Sequence, residues 1–192
     1  MASLKPRLAL RGLRGLQRGW RIGAALLGGL ALTGCTPGLD WREFRPEGAS
    51  ALQLLYPCKP DGHARQLNLA GQPVRLTLHA CRADGATWGL AWADVGDPAR
   101  VAPALQALRQ AFEANVAASA SVPSAGWRVP GATPQPVSGH WTLQGRLPEG
   151  GVIHGEVAVF AHGTRVFQAT VLSERARAED AATFMGSLRV GG

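Results

Sequence analysis

The chain has 192 residues, with 20 Lys and Arg against 13 Asp and Glu and a formal net charge of +7. That length holds about one ordinary domain around one core. The charge invites a nucleic-acid partner, but its distribution excludes one. Lys5, Arg7, Arg11, Arg14, Arg18 and Arg21 lie in residues 1–34, where there is no Asp or Glu. The remainder carries 14 basic against 13 acidic residues and no basic run, whereas nucleic-acid binders need a concentrated basic footprint.

Residues 22–32, Ile-Gly-Ala-Ala-Leu-Leu-Gly-Gly-Leu-Ala-Leu, are apolar or glycine, about half the length that spans a bilayer as a permanent helix. A basic segment before such a run is a signal-peptide pattern. On these residues alone it reads as an ordinary signal peptide with a cysteine nearby, or a short uncleaved anchor. It also resembles bacterial lipoprotein signal peptides, whose motif is a branched apolar residue, a small residue, Gly or Ala, then Cys. Leu32, Thr33, Gly34 and Cys35 match all four positions. The resemblance implies a signal peptide over 1–34 and lipid attachment, palmitate included, at Cys35. Each buried methylene contributes roughly 0.8 kcal/mol, so two or three acyl chains anchor firmly. The basic region is long for the class, which leaves room for a translation start downstream of Met1. Thr36 stands where Asp would retain an enteric lipoprotein at the inner membrane, so the outer membrane is favoured, with the protein facing the periplasm.

With Cys35 assigned to lipid, Cys58 and Cys81 remain in an oxidising compartment, where a pair usually bridges. A disulfide is expected, stabilising by roughly 3 kcal/mol. Free thiols, or a metal site of Cys58, Cys81, His63 and His79, are the alternatives; neither cysteine sits in a Cys-x-x-Cys pair and the His spacing fits no familiar zinc pattern. Residues 35–49 read as lipidated N-terminus and tether, with the folded part beginning between Trp41 and Ser50, and 50–192 as a single globular domain.

The first half of that domain reads as strands at 51–56, 64–69, 74–83 and 87–95. Gly71-Gln72-Pro73 marks one turn, and Asp84-Gly85 marks a two-residue hairpin, since both residues tolerate positive φ. That hairpin fixes a register: Cys81 opposite Trp88, His79 opposite Leu90 and Thr77 opposite Trp92 on one side. On the other, Leu78 faces Ala91, Leu76 faces Ala93 and Val74 faces Val95. Both sides carry apolar residues, so something is expected to pack on each, with a closely packed helix against the alanines.

A helix follows, with Val101, Leu105, Leu108, Phe112 and Val116 at steps of three and four. Asp97-Pro98 resembles an N-cap with a first-turn proline, but Pro103 would break a helix begun there; either the helix begins near Pro103, the start favoured, or an earlier turn is offset from it. The stretch 117–133, rich in Ala, Ser, Pro and Gly, reads as a long connection. Strands return at 137–147, 152–161 and 164–172, the last two as a hairpin about His162-Gly163. A terminal helix at 178–188 turns Ala182, Met185 and Leu188 inward, with Phe184 nearby.

The order of elements, with Leu55-Tyr56-Pro57 after the first strand, the Trp88-Gly89-Leu90-Ala91 strand and the ending Phe184-Met185-Gly186-Ser187-Leu188, is similar to the PsbP-like fold. The resemblance implies an α+β domain: a central antiparallel sheet with helices on both faces, an α/β/α sandwich. It also implies a tendency to bind proteins, and it carries no catalytic residues.

Several constellations bear on chemistry. The histidines are His63, His79, His140, His154 and His162. His154 and Glu156 share one side of a strand and His140 falls on a neighbour, making His140, His154 and Glu156 the best metal candidate; a solvated sheet face accounts for the same residues. Ser138-Gly139-His140 lacks the Gly-x-Ser-x-Gly context of a nucleophile elbow, Ser187 sits in the terminal helix, and Gly28-Gly29 belongs to the leader rather than to a phosphate loop. Trp41 and Trp127 lie in irregular segments and mark either an interaction surface or core packing against the sheet edge. The sequence therefore favours a membrane-anchored envelope lipoprotein, a non-enzymatic accessory or assembly factor with a protein partner and no cofactor. The alternative is a small-molecule or metal-binding lipoprotein using the His-bearing sheet face or the groove beside 117–133, and the third reading is a hydrolase.

Overall fold

A computed structural model describes residues 38–146 and 150–191. The expected signal peptide at 1–34 and the lipid site Cys35 lie outside the described residues. The fold belongs to the unit Thr36–Gly192. Its elements are β1 (Arg42–Phe44), β2 (Leu52–Tyr56), β3 (Asp61–Leu69), β4 (Gln72–Ala83), β5 (Ala86–Asp94), α1 (Val101–Asn115), β6 (Ala120–Pro123), β7 (Gly139–Arg146), β8 (Val152–His162), β9 (Arg165–Ser173), α2 (Ala178–Gly186) and β10 (Arg189–Val190). Seven strands form an antiparallel sheet in the order β3-β4-β5-β9-β8-β7-β6, and a small sheet has the order β1-β2-β10. No helix among the described residues is long and apolar enough to cross a membrane.

The Asp84-Gly85 turn has φ of 47° and 73°, and the register it sets is the expected one from Cys81 opposite Trp88 to Thr77 opposite Trp92. Beyond Thr77 the strands part. Leu76 and Val74 have no partner on β5, so Ala93 and Val95 do not face them; on the other edge of β4 they pair with Arg65 and Leu67 of β3, and β3 and β4 run on from there as a two-stranded ribbon, which twists more strongly. The second hairpin turns one residue later than expected: His162 pairs with Arg165, and Gly163, at φ 58°, supplies the positive φ at its first central position.

Alternate residues of the central strands enter two separate apolar clusters, as a period of two requires. Trp88 and Leu90 of β5, Ala158 and Phe160 of β8, and Phe167, Ala169 and Val171 of β9 join Leu52, Leu54 and Tyr56 of β2 with Ala181, Phe184 and Met185 of α2. Ala91, Ala93, Val157, Val159, Ala161 and Val166 join Val101, Ala104, Leu105, Leu108 and Phe112 of α1. α1 lies mainly over β8 and β9. Arg109 of α1 lies 4.6 Å over the Trp141 ring of β7, so the helix also braces the outer part of the sheet.

Four boundaries differ from expectation. Asp97 caps a short 3-10 turn, Pro98–Arg100, by accepting from the Ala99 N–H, and α1 then starts at Val101; Pro103 sits in the first helical turn, where the N–H it lacks would have no intrahelical acceptor. The 117–133 connection contains β6, fully exposed along its length and hence without an apolar alternation to reveal it. The stretch taken as tether contains β1, held by Arg42 opposite Tyr56. In α2 it is Ala181, Phe184 and Met185 that turn inward; Ala182, rotated about 100° from Ala181, is exposed, and Leu188 reaches the core from the chain beyond the helix end at Gly186.

Cys58 and Cys81 form a disulfide with their Cα atoms 6.1 Å apart, tying the chain just after β2 to the C-terminal end of β4. Tyr56 beside it is buried and donates to the His79 carbonyl at 2.8 Å; burial pushes its phenol well above the usual range. The His79 ring stands 5.0 Å from Phe44, and burial lowers its pKa against the opposing pull of Glu47. Two outcomes are expected. Replacing both Cys58 and Cys81 by Ala should lower unfolding free energy by roughly 3 kcal/mol in chemical denaturation. A lowered histidine pKa means that the unfolded chain binds the proton better, so stability is full above the unfolded value of about 6.5 and declines as pH falls from there through the folded value. Asp94, lowered first by the Thr164 hydroxyl, acts in the separate window below the ordinary carboxylate value. Urea midpoints should therefore fall from about pH 7.5 to about pH 5.5 in the native protein and fall less in His79→Gln; parallel profiles would refute this role of His79.

Candidate functional site

Strand β8 changes character along its length. Its half toward His162 is apolar and buried, whereas the half toward Val152 carries His154 and Glu156 on the side that bears Ala158 and Phe160. On β7, His140, Thr142 and Gln144 lie opposite Ala158, Glu156 and His154. The sheet surface therefore turns polar where β7 and β8 run out beyond the core. There His140 Nε2 meets Glu156 Oε2 at 2.8 Å, with the two side chains 11% and 16% exposed. An ion pair or neutral hydrogen bond so covered satisfies both groups in a place where leaving either alone would be costly.

One wall beside this pair is the chain between β6 and β7. Trp127 stands with its ring 5.6 Å from that of His140 and 6.4 Å from Phe160. The segment is irregular but pinned repeatedly by backbone. The Ser124 N–H donates to the His140 carbonyl, the Thr133 N–H to the Ala161 carbonyl and the Val190 N–H to the Pro130 carbonyl, each at 2.8 Å. Thr133 Oγ1 accepts from the Gly163 N–H at 2.9 Å. Prolines at 130, 134 and 136 fix φ and remove donors that would otherwise need partners. The result is a groove of about 510 Å³ with Trp127, Val129, Pro134, Pro136 and Phe160 as apolar lining and Arg128, Gln135 and Ser138 as polar lining. A second recess of about 80 Å³ lies on the other side of Glu156, lined by Thr142, His154, Ser173 and Arg177 among others.

Two polar groups face this groove without partners. The Ser138 hydroxyl is buried and makes no hydrogen bond; among the described residues Arg128 is exposed and forms no ion pair. An aromatic and proline wall with a few such groups can bury an apolar side chain or ring and orient it through hydrogen bonds. Because the Ser138 hydroxyl is not bonded to His140, no serine–histidine–carboxylate relay is assembled here.

Of the expected metal candidates, His140 and Glu156 come together; His154 lies one pair along, opposite Gln144, and lines the smaller recess. Among the described residues no three His, Cys, Asp or Glu side chains converge on one point. The other candidate set is dispersed: the sulfurs of Cys58 and Cys81 are bonded to each other. His63 pairs with Leu78 while His79 pairs with Gly62, so the two histidines project from opposite faces of the hairpin. Trp41 packs edge-on against Trp88 at 5.7 Å, whereas Trp127 serves both core and groove. Ser187 is a terminal cap: its hydroxyl donates to the Phe184 carbonyl at 2.7 Å and accepts from the Leu55 N–H at 2.8 Å.

The sequence reading did not single out Phe160, Arg128 or Gln135. The density of proline between 123 and 136 was the available signal for a stiff wall. Arg177, also not singled out, holds Asp180 at 2.9 Å and bonds both the carboxylate and the carbonyl of Asp84, locking the start of α2 to the β4–β5 turn.

Gly131 offers a test of the wall. It has φ of +78°, and a Cβ there would stand 1.6 Å from the Val190 carbonyl oxygen. Gly126, at φ +72°, has open space around that position. Gly126→Ala should cost roughly the 1–2 kcal/mol of a left-handed residue. Gly131→Ala should cost clearly more in the same denaturant titration, and equal losses would show that the wall yields. Compared with known proteins, the chain matches no family model and no curated relative.

Proposed function

We propose that this protein is a lipid-anchored factor of the bacterial envelope, facing the periplasm and favouring the outer membrane, that works by binding another protein rather than by catalysis. The anchor reading rests on Leu32-Thr33-Gly34-Cys35. The fold reading is a PsbP-like α/β/α sandwich with helices on both faces of the large sheet; the entry of α1 and α2 side chains into separate clusters supports it.

The observation that carries the binding reading is the groove against Trp127 and Phe160. Its wall is stiffened by prolines and tied by backbone bonds to β7, β8 and β10, so little ordering remains to oppose binding. Its lining offers an aromatic pocket for one apolar anchor of a partner, with Arg128, Gln135 and Ser138 at hand for the partner's backbone or polar groups. A second reading, a small molecule in the same groove, is favoured by the unpartnered buried hydroxyl of Ser138.

A photoreactive side chain introduced at Gln135 should capture one specific envelope protein in intact cells. The same probe at Arg65, on exposed β3, should not, and Trp127→Ala should reduce the Gln135 product at least several-fold while keeping a cooperative unfolding transition. Equal capture from both positions, or none at native abundance, would remove the protein-binding reading. Native mass spectrometry of the extracted protein separates the second reading, since a co-purifying small molecule lost in Trp127→Ala would favour it.

A further inference from the structure

The domain has two distinct ends, and the chain leading from Cys35 enters at one of them. Gly38 lies against the β4–β5 turn: a Cβ placed on it would stand 3.3 Å from Asp84 Cγ. The next fixed point is the Asp40 N–H, which donates to the Pro57 carbonyl at 2.8 Å. Only Thr36 and Pro37 separate Cys35 from Gly38, and three residues of chain reach at most about 11 Å. An acylated Cys35 therefore holds the β4–β5 turn close to the lipid surface.

The registers state what else lies at that end. Ala86 pairs with Ser173 and His154 also pairs with Ser173, while Arg146 pairs with Val152. The turn end thus carries Arg82, Arg146 and Arg175, all exposed, and Val152, an apolar side chain 53% exposed. None of these three guanidiniums forms an ion pair among the described residues, whereas neighbouring Arg177 is turned inward onto Asp84 and Asp180. Among the described residues the acidic side chains at this end are Glu174 and Asp84, the latter held by Arg177. Free guanidiniums suit phosphate oxygens, which they can grip with two parallel hydrogen bonds.

The groove lies at the opposite end. Thr133 bridges to Ala161, and Phe160 stands opposite Phe167 near the Gly163 turn. From Ala86 to Asp94, β5 runs about 26 Å at the usual rise per residue.

We propose that the end bearing Arg82, Arg146, Arg175 and Val152 rests on the phosphate-bearing lipid surface, so that the groove opens away from the membrane toward partners in the periplasm. This rests on acylation of Cys35. The test uses the acylated protein extracted from membranes and returned to vesicles containing phosphatidylglycerol and a quencher-bearing lipid. A fluorescent side chain is placed at Glu174 in one variant and at Ala99, beside the far end of β5, in another. Quenching should be several-fold stronger at Glu174 than at Ala99, and the combined Arg82→Glu and Arg175→Glu variant should reduce that difference while remaining bound to vesicles. Equal quenching, or stronger quenching at Ala99, in protein whose mass shows acylated Cys35 would overturn the orientation and leave the anchor standing. An intact mass without acyl chains would overturn both.

Discussion

Phe184 is the side chain on which the two sheets and α2 jointly depend. Fully buried, it meets Tyr56 of the small sheet edge-on at 5.3 Å and Trp88 of the large sheet at 5.5 Å. Edge-to-face aromatic pairs contribute beyond the area they bury, and here one ring makes two of them with different layers. The backbone confirms the clamp one turn later, where Ser187 joins the end of α2 to Leu55 of β2. Tyr56 extends it to β4 through the His79 carbonyl, and the adjacent disulfide makes the same connection covalent. A smaller residue at 184 would leave a cavity in contact with β2, β5 and α2 together, so the small sheet would lose its seat.

That clamp also explains where the groove can exist. It covers the large sheet from the Cys81 end of β4 across β5 and β9 to the apolar half of β8. On the strands beyond, the surface must be made polar, closed by a loop, or left sticky. The chain uses the first two: His140 and Glu156 hydrogen-bond to each other on the sheet, and the segment carrying Trp127 folds over Phe160. The groove is what remains between them, a consequence of a cover narrower than the sheet.

How far the sequence anticipated this depends on the range of the interactions. The β4–β5 register followed from two adjacent residues with special φ, and α1 from a repeat within one helix; both are local. Leu76 and Val74 keep only their β3 partners because the β4–β5 pairing stops at Thr77 and Trp92, and no property of the hairpin turn reveals where the two strands part. β6 was illegible because an exposed edge strand needs no apolar period. The His140–Glu156 proximity followed from placing two strands side by side, whereas the groove draws residues from 127–138 and from Phe160, whose apolar pattern announces only a buried strand. Its ring is shared between core and surface, and that sharing depends on where the cover stops.

The crosslinks are distributed unevenly between the two ends. Force on the chain at Gly38 would reach the fold through Asp40, whose N–H is bonded to the carbonyl of Pro57, the residue before Cys58 of the disulfide. β1, with three paired residues, would peel easily if it bore the load alone. The covalent bond from Cys58 to Cys81 instead carries load into β4, and Arg177 fastens the neighbouring β4–β5 turn to α2. At the far end no covalent link occurs among the described residues; the groove wall is held by backbone hydrogen bonds and prolines. On the proposed reading, a domain anchored through Cys35 and binding through its groove would need its strongest restraints at the point of attachment, and enough stiffness elsewhere to keep the groove shaped. The disulfide at Cys58, next to the Pro57 carbonyl that accepts from the Asp40 N–H, would meet the first requirement, and the proline-rich wall around Trp127 the second.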